Sequence, residues 1–244
     1  MTALPTRKLE AYRYADIDAL ASVWTSLAQP ERVDVSAQQK LQQIWLPNAD
    51  PVQVRRVELH LEAGATANLF ALNTASTYGR IELDVTLADG AHFGLDAANI
   101  GSGSSTLEIV TIVRHLGVAA TSHQTVRSVL GGKAVGSYLG KVAVARDAQQ
   151  SDGEQSVKAM LLDRGATANC KPELEIYADD VKCAHGASVG ELDANQLFYA
   201  MSRGLDPASA KALLLEGFVM GLWDGAQDND AICEAARAAL RSVT

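Results

Sequence analysis

The sequence predicts a mainly β protein whose strands coil into a solenoid, with a helical segment at each end. Two observations lead to this prediction. From Val52 onwards, apolar residues alternate with polar ones in short runs rich in Val and Ile, and a Gly-Ala motif recurs along the same stretch. Because no convincing amphipathic helix separates these runs before about residue 190, the pattern argues against a doubly wound nucleotide-binding fold.

Composition excludes several classes of protein. The chain has 244 residues, of which 48% are hydrophobic and 20% charged, so it can bury a substantial core and is not disordered. Its net charge of -8 disfavours nonspecific binding to nucleic acid or to an anionic membrane. The most apolar stretch, Ala212–Trp223, is shorter than the roughly 18 apolar residues of a spanning helix. The first residues lack the apolar core of a signal peptide, so we expect a cytoplasmic protein with reduced cysteines: Cys170, Cys183 and Cys233.

Residues 1–48 are interpreted as a helical N-terminal segment. Ser36-Ala37-Gln38-Gln39 fits a capping box, in which the Gln39 side chain reaches back to the Ser36 amide. Leu46-Pro47-Asn48 ends the predicted helix.

Residues 49–191 are interpreted as the solenoid core. Alternation by two predicts strands, since successive side chains of a strand point to opposite faces. The alternating apolar positions are Val52 and Val54; Val57, Leu59 and Leu61; Ile81, Leu83, Val85 and Leu87; Val142 and Val144; and Leu174 and Ile176.

A short motif recurs within this core. Leu61–Leu69 is matched by Leu87–Leu95 and Leu162–Cys170, and more loosely by Cys183–Glu191. Its glycines are spaced by 26, 75 and 21 residues, which predicts coils in the low to middle twenties, with about three coils in the longest gap: Gly64, Gly90, Gly165 and Gly186. Glycine permits the tight corner that such a coil needs. A β-sandwich with repeated hairpins is the alternative that four short matches leave open.

Residues 192–244 are interpreted as a helical C-terminal segment. Asp193 caps a first helix, and Gly204 ends it. Asp206-Pro207 starts a second helix, because proline is tolerated at the first helical position. A last helix is predicted from about Asp230 to Arg241.

The cysteines and histidines of one chain do not form a complete metal site. The cysteines are 13 and 50 residues apart and form no C-x-x-C motif. Cys183 and His185 are two residues apart, so on a strand they share one face and supply half of a site, which a second chain must complete. In the repeat alignment Cys183 and Cys170 take apolar positions, whereas His185 takes a corner position that accepts charge. His185 is therefore the better ligand candidate.

Two other functions stay open on the residues alone. A β-helix carbohydrate-active enzyme needs clustered carboxylates, and Asp179-Asp180 is the available pair. Adjacent residues of a strand face opposite sides, so an ordinary turn or edge pair is the preferred interpretation. A homodimeric structural protein that uses the same edge surfaces without metal is the other possibility.

Three stretches resemble one known family. Lys171–Asp193, followed by Gln196–Gly204, looks like the C-terminal signature of the SufB/SufD family of iron–sulfur cluster assembly proteins. Leu4–Ile17 is similar to the entry motif of the SufD branch of that family, and Asp147–Gln150 with Asp152 and Gln155 resembles its mid-core motif. The N-terminal motif favours the SufD branch over SufB.

The resemblance implies a right-handed parallel β-helix and a non-catalytic scaffold. Family members form a complex with the ABC-type ATPase SufC, and a nascent iron–sulfur cluster forms where SufD meets SufB. By this resemblance His185 is a metal ligand, Cys183 is a second candidate, and the helices after Asp193 dock SufC. The implied docking residues are Phe198, Tyr199, Arg203, Leu214 and Phe218. A reduced flavin attributed to the complex has no assigned residues in this chain.

Overall fold

The computed structural model describes residues 3–27 and 29–243. Met1, Thr2, Ala28 and Thr244, which fall in the predicted end segments, lie outside the described residues. Within this part of the chain, twelve strands form two six-stranded parallel sheets. The first sheet contains β1 (Glu31–Val35), β3 (Val52–Leu61), β5 (Tyr78–Leu87), β7 (Thr106–His115), β9 (Val135–Val144) and β11 (Thr167–Ile176). The second contains β2 (Lys40–Trp45), β4 (Thr66–Asn73), β6 (His92–Gly101), β8 (Thr121–Leu130), β10 (Asp152–Leu161) and β12 (Lys182–Glu191).

The chain winds alternately through the two sheets, so each strand pairs with the strand one coil further on. This confirms the predicted solenoid and excludes the alternative sandwich of hairpins, because every pairing is parallel. The coils are longer than the sequence predicts. Paired residues are 26 positions apart for Val52 and Tyr78, and 32 apart for Val135 and Thr167.

The interior of the solenoid holds the main hydrophobic core. Alternate side chains of both sheets point inward, as the period-two pattern predicts. Fully buried members include Leu59, Leu83, Val85, Phe93, Leu95, Val113, Val126 and Val142. Stacking coil on coil therefore buries a continuous apolar column between the two sheets.

Two of the four predicted motif copies form equivalent corners. Gly64 and Gly90 have φ angles of +67° and +63°, a conformation that favours glycine, and the Gly64 amide donates to the Asp89 carbonyl at 2.8 Å. The copy around Gly165 lies at the opposite edge of the solenoid, between β10 and β11. The copy around Gly186 is not a corner, because Gly186 lies inside β12. The predicted coil length was wrong because it treated all four glycines as one corner.

The prediction of a helical segment over residues 1–48 was wrong in part. A 3₁₀ turn (Glu10–Tyr12) and helix α1 (Ile17–Leu27) are present, but the solenoid already begins at Glu31. The predicted capping box is the corner between β1 and β2, where Gln38 has a φ of +61°. The edges of β3 and β4 offer parallel partners to this segment, and that pairing replaces the local helix signal.

The N-terminal segment lies across the outer face of the first sheet. Arg80 and Glu108 form an ion pair at 3.0 Å in which both side chains are fully buried. The Arg80 guanidinium also donates to the Ala11 carbonyl at 2.8 Å and lies 4.2 Å from the centre of the Tyr12 ring. At the far end of the segment, Glu10 pairs with Lys171 of β11 at 2.5 Å. These contacts join the segment to strands from β5 to β11.

The C-terminal helices begin where the sequence predicts. They are α2 (Ala194–Ser202), α3 (Pro207–Val219), a 3₁₀ turn (Met220–Trp223) and α4 (Asp230–Ser242). The Asp193 carboxylate accepts from the Asn195 amide at 2.8 Å, and Asp206 accepts from the Ser209 amide at 3.0 Å with Pro207 in the first turn. The predicted caps are confirmed.

These helices turn back along the outer face of the second sheet. A second hydrophobic cluster joins Leu215 and Val219 of α3 and Leu240 of α4 to Phe70 and Ala98 of the sheet. Across the described residues, every helix is too short or too polar to cross a membrane.

Candidate functional site

The hydrophobic core is open at the end formed by β11 and β12. Each is the last strand of its sheet, and no residue of either strand is fully buried. At the opposite end, Val35 of β1 and Trp45 of β2 are only 6% exposed. Ile176 and Val189, by contrast, are 39% and 47% exposed. The two ends therefore differ, and apolar side chains meet solvent at the β11–β12 end.

Cys183 and His185 lie on the inner face of β12 at this open end. Cys183 pairs with Gly153 of β10, and a Cβ atom on Gly153 would be 3.6 Å from the cysteine sulfur. His185 pairs with Gln155 and is exposed. Alternation along the strand brings both side chains to one face, as predicted. The predicted corner position of His185 was wrong, because it lies in the middle of a ten-residue strand.

Burial makes both thiols near the open end less ready to bind metal. Cys183 is half-buried against the main core, and burial raises the pKa of its thiol. Cys170, on β11, also packs against that core, and burial raises its thiol pKa too. Both thiols are therefore protonated near neutral pH, and each must lose a proton before it binds metal.

One chain does not assemble a complete metal site among its described residues. No group of three or more His, Cys, Asp and Glu side chains there is arranged to hold a metal ion. Cys183 and His185 supply two donors at the edge of the molecule. Asp179 and Asp180, the acidic pair weighed above, lie in the corner between β11 and β12, where Gln149 accepts a hydrogen bond from the Asp180 amide.

A column of polar side chains, which sequence reasoning did not identify as part of the site, lies beneath His185. Gln124, Gln155 and His185 occupy one register position in β8, β10 and β12. Tyr138 reaches this column from β9, and burial raises the pKa of Tyr138 to about 12, so its hydroxyl stays protonated. Gln155 belongs to the mid-core motif, which was the available signal.

The predicted docking residues lie around α2 and α3. Tyr199, Arg203 and Leu214 line an apolar groove of about 480 Å³ between these helices, together with Leu205 and Leu213.

The other two predicted docking residues lie outside that groove lining. Phe198 is 73% exposed on α2. Phe218 packs against the second hydrophobic cluster, with the Arg127 guanidinium 6.0 Å from its ring centre.

The groove and the open end are close in sequence. Strand β12 ends at Glu191 and α2 begins at Ala194, so only Leu192 and Asp193 separate them. The Asp193 side chain caps α2, and Leu192 packs against the second hydrophobic cluster. The strand that carries Cys183 and His185 is thus joined to the groove by a short, anchored connection.

The chain matches a known protein-family model. Residues 28–218 match the model described as SUF system FeS cluster assembly, SufBD core domain. The match covers most of the chain and contains the solenoid, α2 and nearly all of α3.

Several curated proteins are also similar to this chain. The chain is 36% identical over 107 residues to the iron–sulfur cluster assembly protein SufD of Escherichia coli, which is 44% of this chain and 25% of that protein. It is 30% identical over 147 residues to SufD of Bacillus subtilis, covering 60% of this chain and 32% of the relative. It is 29% identical over 199 residues to the chloroplastic protein ABCI7 of Arabidopsis thaliana, covering 80% and 42%. Each match therefore spans less than half of the relative's length.

Proposed function

The chain belongs to the SufBD family of iron–sulfur cluster assembly proteins and is SufD-like, and from this membership we propose that it is a non-catalytic scaffold subunit. It docks the separate ABC-type ATPase SufC and pairs with a SufB-type subunit. The nascent cluster is the cargo that forms between the two scaffold subunits, and His185 and Cys183 are this chain's ligands to it.

The open end of the solenoid is the observation that carries this proposal. The last strands, β11 and β12, leave unpaired backbone groups and half-exposed apolar side chains such as Leu174 and Val189. Natural proteins rarely leave a long apolar strand edge uncovered. A second solenoid subunit covers such an edge by continuing the sheets, because main-chain hydrogen bonds supply affinity and the inner side chains supply specificity.

The ligand set supports a shared site. Two donors on one face of β12 are too few to hold iron, and the described residues add no third donor beside them. A partner that covers the open end brings its own donors to the same place. His185 is the first ligand in this proposal, since the Cys183 thiol has a raised pKa and must first be deprotonated.

The short connection between β12 and α2 supports a role for ATP hydrolysis. SufC bound at the groove moves α2 when it closes on ATP, and only Leu192 and Asp193 lie between α2 and the ligand-bearing strand. The movement therefore reaches the SufB-facing end and changes the access of iron and sulfur to His185. The reaction of this subunit is a binding change, and ATP hydrolysis takes place in the other protein.

We place the complex in the cytoplasm, because three free thiols and cluster assembly both suit a reducing compartment. No residue of this chain is assigned to a reduced flavin.

Replacing the imidazole tests the proposal directly. We expect His185→Ala to co-purify with SufB- and SufC-type subunits as the natural chain does, but to lose most of the cluster iron and acid-labile sulfide of the complex. The expected loss follows from removal of a metal ligand that makes little contact with the core. Size-exclusion chromatography with light scattering measures assembly, and iron and sulfide analysis measures the cluster.

His123→Ala is the matched control, since His123 is also a half-exposed histidine but lies on the outer face of β8. We expect it to retain the cluster. Normal cluster content in His185→Ala would remove this residue from the site, and failure of the natural chain to bind either subunit would contradict the scaffold role.

A homodimer is the second candidate, and the same open end favours it. Without a SufB-type partner, a second copy of this chain can cover β11 and β12. In that arrangement each copy contributes Cys183 and His185 to the interface.

A further inference from the structure

A chain of hydrogen-bonded polar side chains runs through the mainly apolar interior of the solenoid. The Thr111 hydroxyl donates to Gln124 Oε1 at 2.7 Å, the Tyr138 hydroxyl donates to the same oxygen at 3.2 Å, and Gln155 Nε2 donates to the Tyr138 oxygen at 2.8 Å. All four side chains belong to residues that are at most 1% exposed. Burying polar groups in an apolar core is costly, so a connected chain of this kind calls for a physical reason.

Gly140 of β9 makes room for these polar side chains. A Cβ atom on Gly140 of β9 would overlap the Tyr138 hydroxyl and the Gln155 amide nitrogen. Gly140 therefore allows Tyr138 and Gln155 to meet inside the solenoid, where any larger residue would push them apart.

This series of hydrogen-bonded side chains ends in an acceptor that has no donor. Tyr138 donates to Gln124, so it accepts from Gln155 Nε2, and this leaves Gln155 Oε1 pointing away from the bond. That oxygen is buried and has no hydrogen-bond partner among the described residues. Leaving a buried polar atom unpaired costs free energy. Gln124 Nε2 is also buried without a partner among the described residues, but Gln155 is the member of the chain whose strand pairs directly with β12, so its oxygen is where a donor from β12 can arrive.

The next residue of the column is His185. Gln155 and His185 are direct partners in the β10–β12 ladder, both on the inner face, and neighbouring strands lie about 4.8 Å apart. An imidazole at that position can lay one ring N–H on Gln155 Oε1. A histidine that binds metal through one nitrogen donates its other N–H to an acceptor, which fixes its tautomer and ring orientation.

We infer that Gln155 is a positioning residue for His185: its Oε1 accepts the ring N–H of His185 when the other ring nitrogen binds metal. This inference rests on the proposed function, because it takes His185 as a ligand. The bond from Gln155 Nε2 to the Tyr138 oxygen holds the Gln155 amide in the orientation that presents Oε1, so the interior of the solenoid organises the ligand at its end.

Zn²⁺ is the probe, and the isolated chain labelled with ¹⁵N-histidine is the sample. The ¹⁵N–¹H spectrum reports the tautomer of His185, and its signals are identified by their loss in His185→Ala. In the natural chain we expect Zn²⁺ to fix one tautomer with an N–H protected from solvent exchange. Gln155→Met, which has similar length but no acceptor, loses that protection and binds Zn²⁺ about 10–100-fold more weakly at His185.

Two further variants separate positioning from folding. Gln155→Glu keeps an acceptor at the same length and is expected to restore the protected N–H. Thr111→Val breaks the chain at its far end, and we expect it to lower the melting temperature without weakening Zn²⁺ binding at His185.

The results separate the positioning role of Gln155 from the ligand role of His185. Equal N–H protection and Zn²⁺ affinity in Gln155→Met and the natural chain would overturn the positioning role while leaving His185 as a ligand. Absence of any Zn²⁺-induced change at His185 in the natural chain, up to millimolar metal, would count against both.

Discussion

His115 is the most deeply buried histidine of the solenoid and makes its stability depend on pH. The residue is 0% exposed, with Nδ1 3.1 Å from the Ala120 carbonyl and Nε2 2.8 Å from the Ser122 hydroxyl. Burial lowers the pKa of His115. Since its pKa in the unfolded chain is about 6.5, the stability that His115 contributes is complete above about pH 6.5. It is lost as the pH falls from there towards the lower folded-state value.

We therefore expect the free energy of unfolding to decrease as the pH falls below about 6.5, and His115→Gln to make that decrease shallower. Urea unfolding at a series of pH values measures it. Burial also lowers the pKa of His92, which adds a dependence of the same sign, so part of the slope remains in the variant. An unchanged slope in His115→Gln would contradict this assignment.

A substitution at Phe198 is expected to affect SufC binding without affecting stability. The side chain is 73% exposed on α2, so Phe198→Asp is expected to change the free energy of unfolding by less than about 0.5 kcal/mol. We expect binding to SufC to fall at least tenfold, because the substitution places a charge on the proposed docking surface. Calorimetric titration with SufC measures the binding.

Leu116→Asp is the control for this variant, since Leu116 is 53% exposed in the corner after β7, away from the groove. Equal SufC affinity of Phe198→Asp and the control would remove Phe198 from the docking surface. Loss of stability in Phe198→Asp would show that the helix packs differently.

The strands and caps could be predicted because local physics determines them. Alternation at Val57, Leu59 and Leu61 reports a strand with one buried face, and Asp193 and Asp206 satisfy the first amides of α2 and α3 whatever lies beyond. The solenoid itself followed from such signals repeated along the chain.

Corner identity could not be predicted, because small flexible residues serve several purposes in a two-sheet coil. Gly64 forms a left-handed corner, Gly165 lies at the opposite edge, and Gly186 lies within a strand. The segment Ser36–Gln39 carried a helix-start signal, but its fate depends on pairing with strands that follow it in sequence. Long-range pairing of this kind leaves no local trace.

The candidate site was half predictable. The spacing of Cys183 and His185 on one strand gives their shared face from sequence alone. The Gln124–Gln155–His185 column could not be found that way, since its members are about 30 residues apart and meet only through the register of β8, β10 and β12. The buried amide oxygen of Gln155 next to β12 is a property of the coil, and no single segment encodes it.

The two unlike ends of the solenoid predict self-association of the isolated chain. A dimer that joins the β11–β12 ends about a two-fold axis covers both open cores. We expect sedimentation velocity at tens of micromolar to show this dimer for the natural chain. Val189→Lys, which places a charge at a 47% exposed position of β12, is expected to give a monomer.

Leu116→Lys is the matched variant for this experiment, with a comparable exposed aliphatic side chain in a corner. It is expected to remain dimeric. A monomeric natural chain, or a Val189→Lys protein that still dimerises, would contradict an interface at this end.

The N-terminal segment and the C-terminal helices run along the solenoid in opposite directions. The N-terminal segment lies over the first sheet, and the C-terminal helices lie over the second. Glu10 of the leading tail reaches Lys171 in the final coil, while Gln227 of the trailing tail exchanges two hydrogen bonds with Gln42 in the opening coil. A solenoid without such contacts unfolds coil by coil from its less stable end. In this protein, unfolding of either end also breaks contacts that a tail makes at the opposite end. We therefore expect the coils to unfold together in one cooperative transition.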